Sequence, residues 1–528
     1  MLMSDSLKEN WTISKPVVTG DGGIVVSQHY EASHVGASVL AQGGNAVDAA
    51  IATSAALGVV EPWMSGIGGC GNLLVYLAEE KKTYAIECGV RAPLALDPDR
   101  YPLIDGQDSD LFAWPAVVED RNVVGPESVA VPGLVAGLGL ALAQFGTMEW
   151  SRLLTPAIEL ATRGLSVDWY SSMKIASAAR QLIQFPYSAR CYLPDGHAPI
   201  GEWGGPLPIL DQGTLARTLM RLAKEGPASY YQGSFARELV RDAQAMGIQL
   251  TEEDLAEYAP RQTVVRDFSY RDVQVSTVPG MTAGPTLCRA LHTLQSGASS
   301  LDLQDPTRAY THYAQCLLNA YEHRLTHDGD IPEGNGPSCT THVNVIDRMG
   351  NVVALTQTLL SIFGSKVVLP ETGILMNNGI MWFDPRPGRP NSLARGKWPL
   401  SNMCPAIIHH ANGDKSALGA SGGRRIMSAV FQLISFLVDT SLPLGVAMHH
   451  PRIDVSGKDL VSLDLELDDD VRQALTRQFP VQMVEHGIYP SLFACPSVAK
   501  RDSHRRVNSG VAYVLSPLSA AITEQNIV

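Results

Sequence analysis

Cys339-Thr340-Thr341-His342-Val343-Asn344-Val345-Ile346-Asp347 is the stretch on which the reading of this chain turns. A threonine pair opens what reads as a β-strand, Thr341–Ile346. A turn, Asp347-Arg348-Met349-Gly350, leads to a second strand, Asn351–Thr358, so the pattern is a hairpin with Thr340 at its start. Just upstream, residues 325–338 form a polar connector rich in glycine and proline, the clearest linker in the chain. A threonine hydroxyl is a poor nucleophile until something activates it. Cutting the chain immediately before it supplies an α-amino group as the base.

Outward from this hairpin, the first half reads as a short strand, Ile24–Ser27, then helices over 32–42 and 46–58 broken by Gly43-Gly44-Asn45. Residues 73–78 and 84–87 alternate as a second hairpin. Helical patterns follow over 133–144, 150–162, 168–182, 213–224 and 235–246, and Thr251 with its acidic followers reads as an N-cap. Residues 263–277 return to strand periodicity, and 307–323 is an amphipathic helix. Further on, Ala417–Ala420 reads as a strand and 424–437 as a helix, joined by Ser421-Gly422-Gly423. Residues 1–22 read as a loose polar arm.

The 528 residues are 45% apolar and 18% charged, a globular composition. A net charge of −13 makes nucleic acid and anionic membranes poor partners. The apolar runs 129–145 and 426–438 read as core rather than membrane spans. No basic-then-apolar leader precedes Pro16, which suggests a cytoplasmic protein. The eight cysteines show no paired spacing and read as reduced thiols.

Gly66-Ile67-Gly68-Gly69-Cys70-Gly71 fits a dinucleotide fingerprint by letter only. That fingerprint needs a strand before and a helix after, and here the order is reversed. The run reads instead as a tight turn against another backbone. His409-His410 and His449-His450 lack metal-ligand spacing, so neither a metal nor another cofactor is expected. Ser421-Gly422-Gly423-Arg424 differs from these, because glycines at a helix mouth leave backbone N–H groups free to hold an oxyanion.

With these residues in hand, the chain resembles the γ-glutamyltranspeptidase family of N-terminal nucleophile hydrolases. Matching blocks run in order from Gly43-Gly44-Asn45-Ala46-Val47-Asp48-Ala49-Ala50 through Glu61-Pro62, Ser65–Gly69, Ser128–Gly133 and Thr155–Ile158. They continue through Thr340-Thr341-His342, Gly373–Asn378, Pro399–Met403 and Ser421-Gly422-Gly423. The resemblance implies an α/β (α+β) fold, a four-layer αββα sandwich made from two autoprocessed pieces. These would be 23–339, after the arm 1–22, and 340–528, interwoven in one core and bound to each other as partners. It also implies that Thr340 is nucleophile and, through its amine, base. Thr358 would be the assisting second threonine, and Gly422 and Gly423 the oxyanion hole.

Several positions depart from the family pattern. Gly89 stands where an arginine is expected, with Arg91 two residues on as the available guanidinium. Trp382 stands where an aspartate would hold a substrate α-amino group. Leu360 replaces an asparagine, and the serine pair becomes Ser401-Asn402. Arg91, Trp382, Ser401 and Asn402 are thus the candidate substrate contacts. An indole favours an apolar or planar group over an ammonium. The expected activity is cleavage of a small acyl amide, γ-glutamyl or related, through a threonyl acyl-enzyme and mainly by hydrolysis. The alternative is an acylase for a non-glutamyl acyl amide. A binding protein derived from the fold would be expected to have lost Thr340, Thr358 or the glycine pair, and all are present. Oligomeric state is left open by these residues.

Overall fold

The computed structural model describes residues 14–107, 114–300, 302–324, 340–456, 460–485, 487–489 and 492–527. Two seven-stranded antiparallel sheets face each other. In one the order is Ala520–Thr523, Ile24–Ser27, Thr341–Ile346, Val352–Thr358, Cys70–Leu77, Lys82–Cys88 and Arg261–Val264. In the other it is Val18–Gly20, Val507–Ala512, Cys495–Asp502, Lys415–Ser421, Ala406–His410, Val273–Thr277 and Phe268–Tyr270. Each sheet contains strands from before and from after residue 340, so neither half of the chain completes a sheet alone.

Side-chain alternation builds the layers. Ile346, Val352, Ala354 and Leu74 point inward and meet Ile407, Ala417, Ala499 and Ala512 of the facing sheet. Their neighbours Val343, Val345, Val353 and Leu355 point outward, onto the helices Tyr30–Ala41, Ala46–Val60 and Leu134–Phe145. The second sheet is covered by Gly284–Gly297, Pro306–His323 and Arg425–Val438. The result is helix, sheet, sheet, helix. Burial of these apolar faces supplies the main driving force, at roughly 25 cal/mol per Å².

Local chemistry sets the element ends. Asn45 caps Ala46–Val60 by accepting from the Val47 and Asp48 N–H groups, and Asp48 bonds back to the Asn45 N–H. Thr251 and Asp254 form the same reciprocal box at Glu252–Ala256.

The expected arm needs correction. Residues 1–13 and the connector 325–339, with Cys339, lie outside the described residues. Residues 14–22, however, are not loose. Val18–Gly20 pairs with Asn508–Gly510, and Lys15 donates to the carbonyls of Pro517 and Ser519 at 3.2 and 2.7 Å. An edge strand with unmet backbone donors recruits even this short polar segment.

Candidate active site

The hairpin register pairs Thr341 with Gln357 and His342 with Thr356, so Thr340 and Thr358 stand opposite each other at its open end. Thr340 Oγ1 donates to Thr358 Oγ1 at 3.4 Å, and Thr358 Oγ1 accepts the Leu360 N–H at 2.8 Å. Thr340 is 3% exposed and Thr358 fully buried.

Beneath them a polar file fills the inter-sheet space. His342 Nδ1 bonds Thr356 Oγ1 at 2.8 Å and Nε2 bonds Asn344 Oδ1 at 3.0 Å. Asn344 donates on to the carbonyl and hydroxyl of Ser497, both at 3.0 Å. An amide oxygen only accepts, so Nε2 carries the proton and Nδ1 accepts from Thr356. Burial pushes the His342 imidazole down to about 4, against the opposing Asn344 bond, so it is neutral near pH 7. Its ring lies on Gly419, where a Cβ would come within 2.2 Å of it.

That contact fixes how the facing strand runs. Lys415 lies in the cavity beside Arg348, Met349 and Gly350, at the far end of the hairpin. Gly419 lies at the level of His342, so Lys415–Ser421 finishes toward Thr340. There it turns through Gly422 (φ 135°) and Gly423 (φ 58°) into Arg425–Val438. Both angles lie where side chains are strained, and a Cβ on Gly422 would sit 2.8 Å from Ala494 Cα. The two glycine N–H groups precede the helix's own ladder, at its positive end.

Gly419-Ala420-Ser421-Gly422-Gly423 also matches the serine-hydrolase pattern G-x-S-x-G. Ser421 Oγ bonds Gln28 Nε2, and no histidine bonds it among the described residues. Among the described residues a serine nucleophile there has no histidine base.

The glycine run 66–71 bears out the tight-turn reading. It follows the helix Ala46–Val60 and enters the strand Cys70–Leu77. A Cβ on Gly68 would lie 2.2 Å from the Leu375 carbonyl oxygen.

The substrate-contact candidates divide. Trp382 is buried with Leu360, Met381, Met403 and Trp114, an apolar wall beside the second threonine. Leu360 holds φ 85°, a strained value for a side chain without a polar local partner. Ser401 and Asn402 are pinned by Arg324, which donates to the Ser401 carbonyl at 2.7 Å and to Asn402 Oδ1 at 3.4 Å. The buried Asn402 Nδ2 has no partner, leaving a donor available. Arg91 is placed differently. It donates to the Asp254 and Glu257 carbonyls at 2.9 and 3.4 Å, capping the end of a short helix. The described contacts bring it to that helix rather than to Thr340.

One group went unread as a site residue. Glu61 follows the helix Ala46–Val60, is 2% exposed, and its Oε2 has no hydrogen-bond partner. Burial pushes its carboxyl up to about 8, while the Thr341 hydroxyl and Lys174 pull the other way.

The model of the family Gamma-glutamyltranspeptidase matches residues 32–335 and 325–488. A glutathione hydrolase proenzyme of Bacillus subtilis (strain 168) is 30% identical over 83% of this chain and 81% of its own. The acylase ACY 1 proenzyme of Pseudomonas sp. (strain V22) is 33% identical over 88% of each. Among solved structures, the cephalosporin acylase from Bacillus halodurans superposes with a TM-score of 0.83 at 23% identity, covering 99% of both chains. The Helicobacter pylori γ-glutamyltranspeptidase gives 0.50 at 27% identity, over 62% of this chain and 86% of that one. The four-layer sandwich is therefore of the N-terminal nucleophile hydrolase type.

Proposed function

This chain belongs to the γ-glutamyltranspeptidase family, and on that premise we propose how it works: it cuts itself between Cys339 and Thr340, then hydrolyses a small acyl amide through a threonyl ester. The observation that carries the reading is the Thr340–Thr358 hydroxyl pair at the sheet end toward which the Gly422–Gly423 turn runs.

In the cut protein, Thr340 Oγ attacks the amide carbonyl carbon while the Thr340 α-amine takes the hydroxyl proton. Thr358 orients that hydroxyl. The N–H groups of Gly422 and Gly423 receive the negative charge that develops on the carbonyl oxygen, a contribution of about 3–4 kcal/mol per donor. The amine leaves with the proton, and the acyl group stays on Thr340 as an ester. Water, deprotonated by the same α-amine, then attacks the ester and releases the acid. In the uncut chain the Thr340 nitrogen is still an amide and cannot be the base. Thr340 Oγ attacks the carbonyl carbon of residue 339, the C–N bond breaks, and the hydroxyl proton passes to the departing Thr340 nitrogen. Water hydrolyses the resulting ester to free the α-amine.

The acyl group is the finer question, and Trp382 bears on it. A γ-glutamyl substrate brings an α-ammonium, which an apolar wall of Trp382, Leu360, Met381 and Met403 leaves unpaired. A buried, unpaired charge costs several kcal/mol, on the order of 3–5. An acyl chain lacking that ammonium meets no such penalty, and Asn402 Nδ2 offers it a neutral donor. These contacts favour acylase-type hydrolysis over γ-glutamyl hydrolysis. The 33% identity to an acylase proenzyme points the same way.

Two measurements test this. On a denaturing gel the wild type should run as two bands and Thr340→Ala as one; an uncut wild type refutes the mechanism. Glutaryl-p-nitroanilide should exceed γ-glutamyl-p-nitroanilide in kcat/KM by about 10-fold or more, given the charge penalty. The reverse order refutes the acyl assignment while leaving the mechanism standing.

A further inference from the structure

At the end of the sandwich opposite Thr340, three turns converge: residues 347–350, 411–414 and 503–506. Between them lies a cavity of about 300 Å³ lined by Tyr76, Arg348, Lys415, Arg501, Ser503 and Arg506, among others. Four of its lining residues are cationic and none is a carboxylate, in a chain whose net charge is −13.

The surroundings explain why this charge is not cancelled. Asp347 spends its carboxylate on the Ala46 and Asn351 N–H groups, at 3.1 and 2.9 Å. Asp414 accepts from the Ser503 N–H at 2.8 Å. Glu524 pairs with Arg348 at 2.6 Å and so offsets one of the four cations. Arg501 forms the floor, 8% exposed, with its two terminal nitrogens committed to the carbonyls of Asp347 and Arg348 and to Asn508. Arg506 stands exposed on the rim at φ 56° and makes no hydrogen bond or ion pair among the described residues. Lys415 Nζ lies 5.2 Å from the centre of the Tyr76 ring and donates to the Gly413 carbonyl at 2.8 Å.

We propose that this cavity binds a small phosphate-type oxyanion of pyrophosphate size, held by the Arg506 guanidinium and by the positive charge of Lys415 and Arg501. Arg506 on the rim offers a forked donor pair to the concave space, the geometry that recognises phosphate oxygens, while Arg501, its terminal nitrogens already bonded, contributes charge from the floor. Burial holds the Arg501 guanidinium below its usual range and Arg506 adds like-charge repulsion, with Asp347 opposing both, so an anion between the two arginines relieves an existing cost. The cavity lies at the far end of the hairpin whose open end carries Thr340 and Thr358, so it is a site separate from the amide chemistry.

The test is calorimetric titration of the full-length protein with sodium pyrophosphate, against sodium chloride at matched ionic strength. Saturable one-to-one binding by pyrophosphate alone is expected. Arg506→Gln, at an exposed position with no partner to lose, should weaken it by about 10-fold or more, the scale of one charge-assisted contact. Lys415→Gln should weaken it again. Heat that does not saturate, equal heat from chloride, or unchanged affinity in Arg506→Gln overturns the proposal.

Discussion

The Thr358 carbonyl oxygen lies 2.3 Å from the point a Cβ on Gly69 would occupy. The glycine turn before the strand Cys70–Leu77 is thus pressed against the backbone of the second threonine, and the Gly69 carbonyl accepts the N–H groups of Gly133 and Leu134 at 3.0 and 3.1 Å. No side chain fits without moving a backbone that carries Thr358. Gly69→Ala should cost about 1–3 kcal/mol of stability, the usual penalty for overpacking. It should also slow self-cleavage, because the Thr340–Thr358 bond is displaced. Urea unfolding and the rate of appearance of the two fragments measure the two effects. Wild-type cleavage in a destabilised variant would show that the close approach is structural only.

Gly422→Ala meets two obstacles, a φ of 135° and the Ala494 backbone at 2.8 Å. Either one turns the N–H away from the direction it holds now. If that N–H stabilises the oxyanion, kcat should fall by about 10²- to 10³-fold with KM little changed. A loss confined to KM would place the turn in substrate binding instead.

Trp382→Asp puts a carboxylate into the wall formed with Leu360, Met381 and Met403. The protein should lose about 3–5 kcal/mol from the missing indole. Its preference should move toward γ-glutamyl amides, since the new charge can pair with an α-ammonium. The ratio of kcat/KM for γ-glutamyl- and glutaryl-p-nitroanilide reads this directly, and a ratio unchanged from wild type removes Trp382 from the acyl pocket.

The sequence reading was strongest where a local rule decides the outcome. The 341–358 hairpin, the helix break at Gly43-Gly44-Asn45, the Thr251 cap and the Gly422–Gly423 turn follow from alternation, capping chemistry and glycine's conformational range, and each stands where it was expected. The strands Ala406–His410, Cys495–Asp502 and Val507–Ala512 were not read although each pairs across a short turn, the first with Lys415–Ser421 and the other two with each other. Ala520–Thr523 was not read because its partner, Ile24–Ser27, is distant in sequence. Val18–Gly20 was missed for the same reason. Arg91 shows the limit for the site: its residue type suits a carboxylate, but a helix end 163 residues away takes the guanidinium. Glu61 shows the converse, a carboxyl whose significance comes entirely from the burial that folding imposes.

Glu61 and His342 change stability with pH in opposite directions. The Glu61 carboxyl is pushed up to about 8 by burial, from 4.5. Between those values the unfolded chain has lost the proton and the folded chain keeps it. Stability therefore falls as pH rises from 4.5 to 8. His342 is pushed down to about 4 from 6.5, so the unfolded chain gains a proton that the folded chain refuses. Its contribution is lost as pH falls from 6.5 toward 4, and His29 and His409, also pushed down to about 4, add to the same acid limb. Glu61→Gln keeps the shape and removes the titration. Its Tm relative to wild type should rise steadily from pH 5 to pH 8. His342→Gln loses packing on Gly419 at every pH, so its absolute Tm is uninformative. Its decline from pH 6.5 to pH 4.5 should be shallower than that of the wild type. Parallel Tm curves for wild type and Glu61→Gln would mean that the buried carboxyl is already ionised, with Lys174 as its counter-charge.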